Sequence, residues 1–324
     1  MATYYGTKGQ KIQVLATDPS VIQEGQVWYN STSGALKVFK NIPDAWATGG
    51  NLGTARTLLS GCGTQTEGLA FGGQPAPTNG NKTEEYNGSA WTAGGNMGTA
   101  RYESAGAGTQ TAGLVFAGFP PPTNSSATEE YDGSTWTAGG SLATARRALG
   151  GAGTQTAGLA FGGITPSTTG ATEEYNGSTW TAGGTLATVR SRLAGAGTQT
   201  AGLGFGGYTP YLSPSTRGAT EEYDGSTWTA GGTMITARGD LGGAGTQTAA
   251  LAFGGNRYPP ITAATEKYDG TSWTTTTNMN TARDDLGSAG TQTAALGFGG
   301  SGPSGATEEF NAGTGIAAGT VTQS

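Results

Sequence analysis

The side chains with the clearest capacity for chemistry in this chain are pairs of glutamates that recur along its length. The tetrapeptide Thr-Glu-Glu-Tyr, or a near variant, begins at Thr83, Thr128, Thr172, Thr220, Thr265 and Thr307. Two carboxyl groups suit general acid and base catalysis when both face one substrate bond. Adjacent residues of a β-strand point to opposite faces, so Glu84 and Glu85 do not converge in this way. We predict a structural role instead, in which one glutamate of each pair meets a backbone amide or a repeated arginine.

Other catalytic and metal-binding groups are scarce. The chain has no histidine, which excludes Ser-His-Asp catalysis and ordinary histidine metal sites. The single cysteine, Cys62, corresponds to alanine in every other copy of the repeat described below, at Ala107, Ala152, Ala196, Ala244 and Ala289. Cys62 is therefore predicted to fill a small buried position, and no Asp-rich loop indicates calcium. We expect a non-enzymatic protein with no catalytic residue, no metal and no cofactor.

The elements that carry these residues belong to an internal repeat of about 45 residues. Tryptophans recur at Trp46, Trp91, Trp136, Trp180, Trp228 and Trp273. Gly-Thr-Gln-Thr recurs with the same spacings, and Phe-Gly-Gly or Phe-Ala-Gly forms a third marker. An arginine recurs at Arg56, Arg101, Arg146, Arg190, Arg238 and Arg283. Markers in one fixed order predict six copies of the same structural unit.

Each copy is predicted to form four short strands. An Asn-Gly or Asp-Gly pair separates the Thr-Glu-Glu-Tyr segment from Ser-Thr-Trp-Thr, and such a pair favours a hairpin because both turn positions can take φ > 0. Four strands per copy without helical periodicity are typical of propeller blades rather than of a helical solenoid. The predicted fold is therefore an all-β, six-bladed β-propeller.

The order of diglycine, tyrosine and tryptophan resembles the kelch repeat over about residues 46–310. In that family these residues lie on successive strands of one blade, so the resemblance implies a kelch-type propeller. The segment Trp-Thr-Ala-Gly-Gly and the near-identity of the copies are more similar to the kelch-like repeats of tailed-phage virion proteins.

Closure of the ring has two candidate solutions, because the last copy has the Phe310 strand but no tryptophan. The strand containing Trp46 supplies one, and Ile316 near the C-terminus supplies the other. We favour Trp46, since tryptophan is the better strand former and this solution joins the chain ends. A seventh blade would need strands from the N-terminal arm. The predicted division is an arm at 1–45 and a propeller at 46–324.

One end of the predicted propeller is constant and the other is variable. The Gly-Thr-Gln-Thr and Asx-Gly turns hardly change, whereas the six loops before Thr-Glu-Glu-Tyr differ in sequence and have 9, 9, 8, 12, 9 and 6 residues. Loops on a rigid scaffold commonly carry binding functions. The candidate binding residues in them are Phe119, Tyr208, Tyr211, Arg217, Arg257 and Tyr258. The alternative is that these loops vary because nothing constrains them.

The N-terminal arm contains a predicted hairpin, with strands around Gly-Gln-Val-Trp-Tyr-Asn and Ala-Leu-Lys-Val-Phe-Lys joined by Ser-Thr-Ser-Gly. The stretch from Glu24 to Phe39 is similar to a motif near the start of phage tail-fibre and other virion proteins. That resemblance implies attachment to the particle, with Lys8, Lys11, Trp28 and Tyr29 as the candidate residues. The alternative is a hairpin that only caps the propeller.

Charge and composition narrow the partners. A net charge of −6 argues against a nucleic-acid or anionic-membrane surface, and no apolar run is long enough to span a membrane. No stretch resembles a signal peptide, and one cysteine allows no internal disulfide. We expect a virion protein made in the host cytoplasm, such as a tail-fibre or capsid-decoration protein. It would bind other virion proteins through the arm and a host-surface glycan or protein through the loops. The alternative is a non-viral kelch-like adhesion or scaffold module with a protein partner; the oligomeric state stays open.

Overall fold

We describe the protein from a computed structural model, which defines residues 12–19, 26–38, 42–74, 80–209 and 215–313. Four residues singled out above, Lys8, Lys11, Tyr211 and Ile316, lie outside these ranges. The described residues contain strands and turns but no helix, which confirms the all-β prediction. They therefore include no helix that could cross a membrane. They divide into two compact units, one within Met1–Ala45 and Ala312–Ser324 and one spanning Trp46–Asn311.

The first unit contains a three-stranded sheet built around the carboxylate of Asp18. Its strands are β1 (Gln13–Leu15), β2 (Val27–Asn30) and β3 (Ala35–Val38). Strands β2 and β3 form the predicted hairpin, and β1 pairs with β2 in parallel. The Asp18 carboxylate accepts hydrogen bonds from Lys37 Nζ (2.7 Å), Asn30 Nδ2 (2.8 Å) and Trp28 Nε1 (3.0 Å). These donors, Lys37 foremost, lower the pKa of Asp18 to about 2.

The second unit consists of six four-stranded antiparallel sheets, here called sheets 1 to 6. Sheet 1 has β5 (Ser60–Gly63), β6 (Gly68–Phe71), β7 (Thr83–Tyr86) and β8 (Trp91–Ala93). Sheet 2 has β9 (Ala105–Gly108), β10 (Gly113–Phe116), β11 (Thr128–Tyr131) and β12 (Trp136–Gly139). Sheet 3 has β13 (Gly150–Thr154), β14 (Ala157–Phe161), β15 (Thr172–Tyr175) and β16 (Trp180–Ala182).

The remaining three sheets follow the same plan, except that sheet 4 contains an inserted ribbon and sheet 6 takes its fourth strand from the N-terminal side of the unit. Sheet 4 has β17 (Ala194–Gly197), β18 (Gly202–Phe205), β21 (Thr220–Tyr223) and β22 (Trp228–Ala230), with a short ribbon of β19 (Tyr208–Thr209) and β20 (Ser215–Thr216) inserted. Sheet 5 has β23 (Gly242–Thr246), β24 (Ala249–Phe253), β25 (Thr265–Tyr268) and β26 (Trp273–Thr276). Sheet 6 has β27 (Gly287–Gly290), β28 (Ala294–Phe298), β29 (Thr307–Asn311) and β4 (Ala45–Thr48). The strand of Trp46 thus completes the last sheet, as predicted.

The first strands of successive sheets lie side by side in a cycle, from β5 through β9, β13, β17 and β23 to β27, which lies against β5. A ring of backbone hydrogen bonds follows the same cycle, two residues before each first strand. The residues of this backbone ring are Leu58, Glu103, Ala148, Arg192, Asp240 and Asp285, and each N–H donates to the carbonyl of its counterpart in the preceding sheet at 2.7–3.1 Å. All six have φ between 52° and 55°, a left-handed conformation that costs a non-glycine residue about 1–2 kcal/mol. This arrangement is consistent with a multi-blade β-propeller.

The constant glutamine of Gly-Thr-Gln-Thr joins each sheet to the preceding one. Gln110 Nε2 donates to the carbonyls of Gly68 (3.0 Å) and Tyr86 (2.7 Å) in sheet 1. The equivalent glutamines of all six sheets make the same two contacts, and Gln65 of sheet 1 reaches Ala295 and Phe310 of sheet 6. The glutamine does not vary because a shorter side chain would leave two carbonyls without a donor.

The contact between each sheet and the preceding one is here called a seam. The recurrent tryptophan forms the apolar part of this seam. Trp136 Nε1 donates to Thr83 Oγ1 of the preceding sheet at 2.9 Å, and its ring lies 5.3 Å from the Phe71 ring centroid. Trp46 makes the equivalent contacts with Thr265 (3.2 Å) and Phe253 (5.0 Å). Edge-on aromatic contacts of this kind add stability beyond the area they bury.

The Asx-Gly turns form the predicted hairpins between third and fourth strands, with loops of four residues. Tyr86 pairs with Trp91, so the connecting loop has four residues, and only Gly88 has positive φ (88°). The Asn87 side chain accepts hydrogen bonds from the N–H groups of Ser89 (3.0 Å) and Ala90 (2.9 Å). The predicted hairpin is therefore present, with the Asx side chain capping a longer loop than the glycine alone would need.

The first glutamate of each pair meets the repeated arginine, as predicted. Arg190 Nη2 lies 2.9 Å from Glu221 Oε1, and both side chains are almost completely buried. Equivalent ion pairs join Arg56 to Glu84, Arg101 to Glu129, Arg146 to Glu173, Arg238 to Glu266 and Arg283 to Glu308. Glu221 Oε2 also accepts a hydrogen bond from the N–H of Ala187 (2.7 Å), and Arg190 donates to three backbone carbonyls. Each pair therefore clamps a linker between two sheets onto the second of them.

The second glutamate accepts a hydrogen bond from the tyrosine of the next sheet. Tyr175 Oη lies 2.6 Å from Glu130 Oε1, and burial, together with this bond, raises the pKa of Tyr175 to about 12. The chain breaks this rule at one seam only, between sheets 5 and 6, where both partners change. Lys267 replaces the glutamate and Phe310 the tyrosine, with the ammonium 5.3 Å from the ring centroid. A cation–π contact thus replaces a hydrogen bond between the same two strands.

This paired exchange predicts coupling between the two positions. Tyr175→Phe and Glu130→Lys should each destabilise the fold by about 1 kcal/mol, because each alone removes the hydrogen bond. The double variant recreates the Lys267–Phe310 pair and should cost at least about 0.5 kcal/mol less than the sum. Chemical denaturation of the four proteins measures this coupling, and strict additivity would contradict it.

Candidate functional site

Different turns and loops lie at the two ends of the sheets. Because neighbouring strands are antiparallel, the Thr-Gln and Asx-Gly turns lie together at one end, here called the constant end. The loops between second and third strands lie at the opposite, variable end, together with the linkers between sheets. The backbone ring also lies at the variable end, just before the first strands begin.

Among the predicted binding residues, Phe119 lies half-buried in the loop of sheet 2. Its ring centroid is 5.4 Å from that of Tyr102, and the Arg147 guanidinium lies 4.7 Å above it. Arg147 also bonds Asn124 Oδ1 (3.2 Å) and Glu103 (2.9 Å). Phe119 thus forms part of a packed cluster, with its ring face already covered by a cation.

Tyr208 is buried, with 4% of its surface exposed. Its hydroxyl donates to the carbonyl of Asn256 (3.1 Å), and its ring occupies the space where a Cβ on Gly239 would lie. Every counterpart of Gly239 has a side chain, at Thr57, Tyr102, Arg147, Ser191 and Asp284. Tyr208 therefore supports the adjoining loop from below, and sequence reasoning did not distinguish this from a surface role.

The loop of sheet 5 presents Arg257 and Tyr258 to solvent. Tyr258 is 63% exposed and has φ = 58°, and its N–H donates to Asn256 Oδ1 at 2.7 Å. The Arg257 N–H donates to the Pro260 carbonyl (3.1 Å), and the ring of Tyr258 stands edge-on to that of Tyr208 at 6.1 Å. The backbone that presents both side chains is therefore fixed. Arg217, in the loop of sheet 4, is also exposed.

The first strands surround a cavity of about 230 Å³ lined by glycine, alanine, serine and leucine residues and Cys62. Cys62 is buried there, as its alanine counterparts predict, and burial raises the pKa of its thiol to about 12. A thiol with such a pKa stays protonated at neutral pH and is a poor nucleophile.

A smaller cavity of about 110 Å³ at the variable end contains a charge cluster that sequence reasoning missed. The cluster consists of four members of the backbone ring: Glu103, Arg192, Asp240 and Asp285. Arg192 lies 2.8 Å from Asp240 Oδ1 and 3.4 Å from Asp285 Oδ1, and it also pairs with Glu103. An alignment of the six copies could have revealed the cluster, because this position is Leu, Glu, Ala, Arg, Asp and Asp in turn and is charged in four of the six.

Burial raises the pKa of Asp285 to about 9, and the neighbouring charge of Asp240 adds to the effect. Burial alone would lower the pKa of Arg192, but the surrounding carboxylates, led by Asp240, raise it above its usual value. Asp285 therefore keeps its proton to a higher pH than a free aspartic acid, and Arg192 stays charged at neutral pH. In the part of the chain that the structure describes, no three acidic or cysteine side chains are placed to hold a metal ion.

No protein-family model matches the chain, and no curated protein has significant similarity to it.

The cluster predicts a specific pH dependence of stability. Because the pKa of Asp285 rises from 3.8 to about 9 on folding, the folded protein holds a proton that the unfolded chain loses in this window, and stability falls as pH rises. Asp285→Asn has no proton to lose. The free energy of unfolding of this variant should therefore vary less with pH between about pH 5 and pH 8.5. At about pH 8.5 it should be higher than that of the wild type. Denaturation at several pH values tests this. Glu67→Gln removes an exposed carboxylate at the constant end and serves as the control. If the unfolding free energy of Asp285→Asn changed with pH as steeply as that of the wild type, Asp285 would not be the source of the pH dependence.

Proposed function

We propose that this protein is a non-enzymatic recognition module of a tailed-phage particle. In this proposal the six sheets are the blades of a kelch-type β-propeller, the N-terminal unit attaches it to the particle, and the variable end binds the host surface. The observation that carries the proposal is the unequal use of the two ends of the same six sheets.

The constant end is occupied by contacts within the protein. Its glutamines bond the preceding sheet, and its Asx side chains cap their own loops. At the variable end the structural contacts lie below the surface, in the Arg–Glu clamps and the backbone ring. The loops above them are free to differ, and one presents Arg257 and Tyr258 on a fixed backbone. A rigid support with variable polar and aromatic loops favours recognition.

Attachment through the N-terminal unit is supported by its resemblance to virion proteins and by its surface. The motif residues Trp28 and Asn30 are buried and hold Asp18, so their part is to form the sheet. Tyr29 is half-buried. The exposed large hydrophobic side chains among the described residues of this unit are Val14 (48%), Val27 (37%) and Ile42 (40%). We place the attachment surface on these residues rather than on Trp28.

The virion role predicts that the protein is a component of purified particles. Mass spectrometry of such particles should detect it, and removal of residues 2–43 should abolish incorporation because the attachment unit is lost. This deletion keeps β4, which sheet 6 needs, so the remaining protein should still fold. Absence of the full-length protein from particles would contradict the virion role and favour an adhesion or scaffold module. Incorporation of the shortened protein would contradict the role of the arm.

Recognition through the variable end predicts that a loop exchange impairs host binding. Residues 256–264 should be replaced by the six residues of loop 301–306, which carry neither arginine nor an aromatic side chain. Binding of labelled protein to host cells should fall at least about tenfold, as when a few central residues dominate an interface. The control exchanges the constant-end turn 87–90 for 132–135 and should bind like the wild type. Equal binding by the two exchanged proteins would exclude this loop from recognition.

A further inference from the structure

Exposed charges of opposite sign lie at opposite ends of the six sheets. Among the described residues of Trp46–Asn311, the exposed carboxylates are Glu67, Asp132, Asp224 and Asp269, all in turns at the constant end. The exposed cations in the same ranges are Arg217 and Arg257, in the variable loops of the adjacent sheets 4 and 5. The residues of this unit outside those ranges carry no charged side chain. The accessible charge on these two loops is therefore positive although the whole chain is acidic.

Arg217 and Arg257 also differ from the other arginines in their contacts. The six repeated arginines, together with Arg147 and Arg192, are paired with carboxylates. Within the described part of the chain, neither Arg217 nor Arg257 has a hydrogen bond or ion pair from its guanidinium group. Each therefore offers its full set of N–H donors, in the planar arrangement that binds a carboxylate or phosphate through two parallel bonds.

Tyr258 supplies a flat surface next to one of these cations. Its left-handed backbone is an unfavourable conformation for tyrosine, and the Asn256 side chain stabilises it. The ring stands against buried Tyr208, so little conformational freedom remains to be lost when a ligand binds. An exposed aromatic ring can pack on the apolar face of a sugar while its neighbouring guanidinium binds an acidic substituent.

The apolar surface at this end is too divided for a large protein interface. Its exposed large apolar or aromatic residues, among those described, are Val189, Ile235, Tyr258 and Ile261, spread over two linkers and one loop. A stable protein interface buries about 1,600 Å² around a continuous core. We propose that the variable end binds an anionic glycan, a sugar chain bearing carboxylate or phosphate groups, through Arg217, Arg257 and Tyr258. This proposal rests on the recognition function proposed above and specifies its ligand class.

The test uses the full-length protein and surface polysaccharide extracted from the host, either native or after carboxyl reduction and dephosphorylation. The wild type should bind the native polysaccharide at least about tenfold more tightly than the neutralised form, and added salt should weaken binding. Arg217→Gln, Arg257→Gln and Tyr258→Asn should each weaken binding of the native form by about tenfold. Asparagine is chosen because it tolerates the left-handed backbone that Tyr258 adopts. Isothermal titration calorimetry gives the affinities.

The matched control is Ala90→Glu, which changes the net charge as Arg→Gln does but lies exposed at the constant end. It should bind like the wild type; equal losses in Ala90→Glu and Arg257→Gln would show a general charge effect and overturn the site. Equal affinity for native and neutralised polysaccharide would overturn the anionic class. Host-cell binding that depends on loop 256–264 but is abolished by protease treatment of the cells would assign a protein ligand and leave the recognition function standing. Failure of the loop exchange itself to change cell binding would exclude loop 256–264 from recognition and overturn the glycan site with it.

Discussion

The joining of each small sheet to its two neighbours is the constraint on which the rest of the second unit depends. Its main strands have three to five residues, many of them glycine or alanine, and one such sheet buries too little to be stable alone. Every seam therefore repeats the same set of contacts: a glutamine on two carbonyls, a tryptophan on a threonine and a phenylalanine, and a side-chain pair between third strands. Because the first strands form a cycle, no sheet lacks a neighbour on either side.

The buried ion pairs explain how variable loops coexist with this constraint. A buried arginine and glutamate are costly to desolvate and contribute stability only when their remaining donors and acceptors are satisfied. Here the glutamate also accepts a linker amide, and the arginine donates to carbonyls at the end of the second strand and of the variable loop. The linker and both ends of the loop are thus fixed beneath the surface. Residues at the loop tip take no part in these contacts and can therefore differ from sheet to sheet.

The same logic separates structural from exposed residues within the loops. Tyr208 and Tyr258 occupy neighbouring loops, yet one is buried over Gly239 and the other is 63% exposed. The buried ring and the Asn256 side chain together hold the exposed one in place. The recognition proposed above would therefore depend on this buried support as much as on the side chains that contact the ligand.

The sequence by itself determined the features that are local or repeated. Recurrent markers, turn residues and six aligned copies were enough for the all-β class, the four strands of each sheet, the N-terminal hairpin and the pairing of arginine with glutamate. The hairpins were predicted as well, but not that the Asx side chain caps a four-residue loop in each. The sequence favoured Trp46 over Ile316 for completing the last sheet, and the tertiary structure decided between them. It also decided the burial of Tyr208, the charge cluster around Arg192 and the exchange at Lys267 and Phe310. Each of these depends on residues some 30 or more positions apart that meet only when the sheets associate. Spacing along the chain carries no information about which side chain then faces solvent.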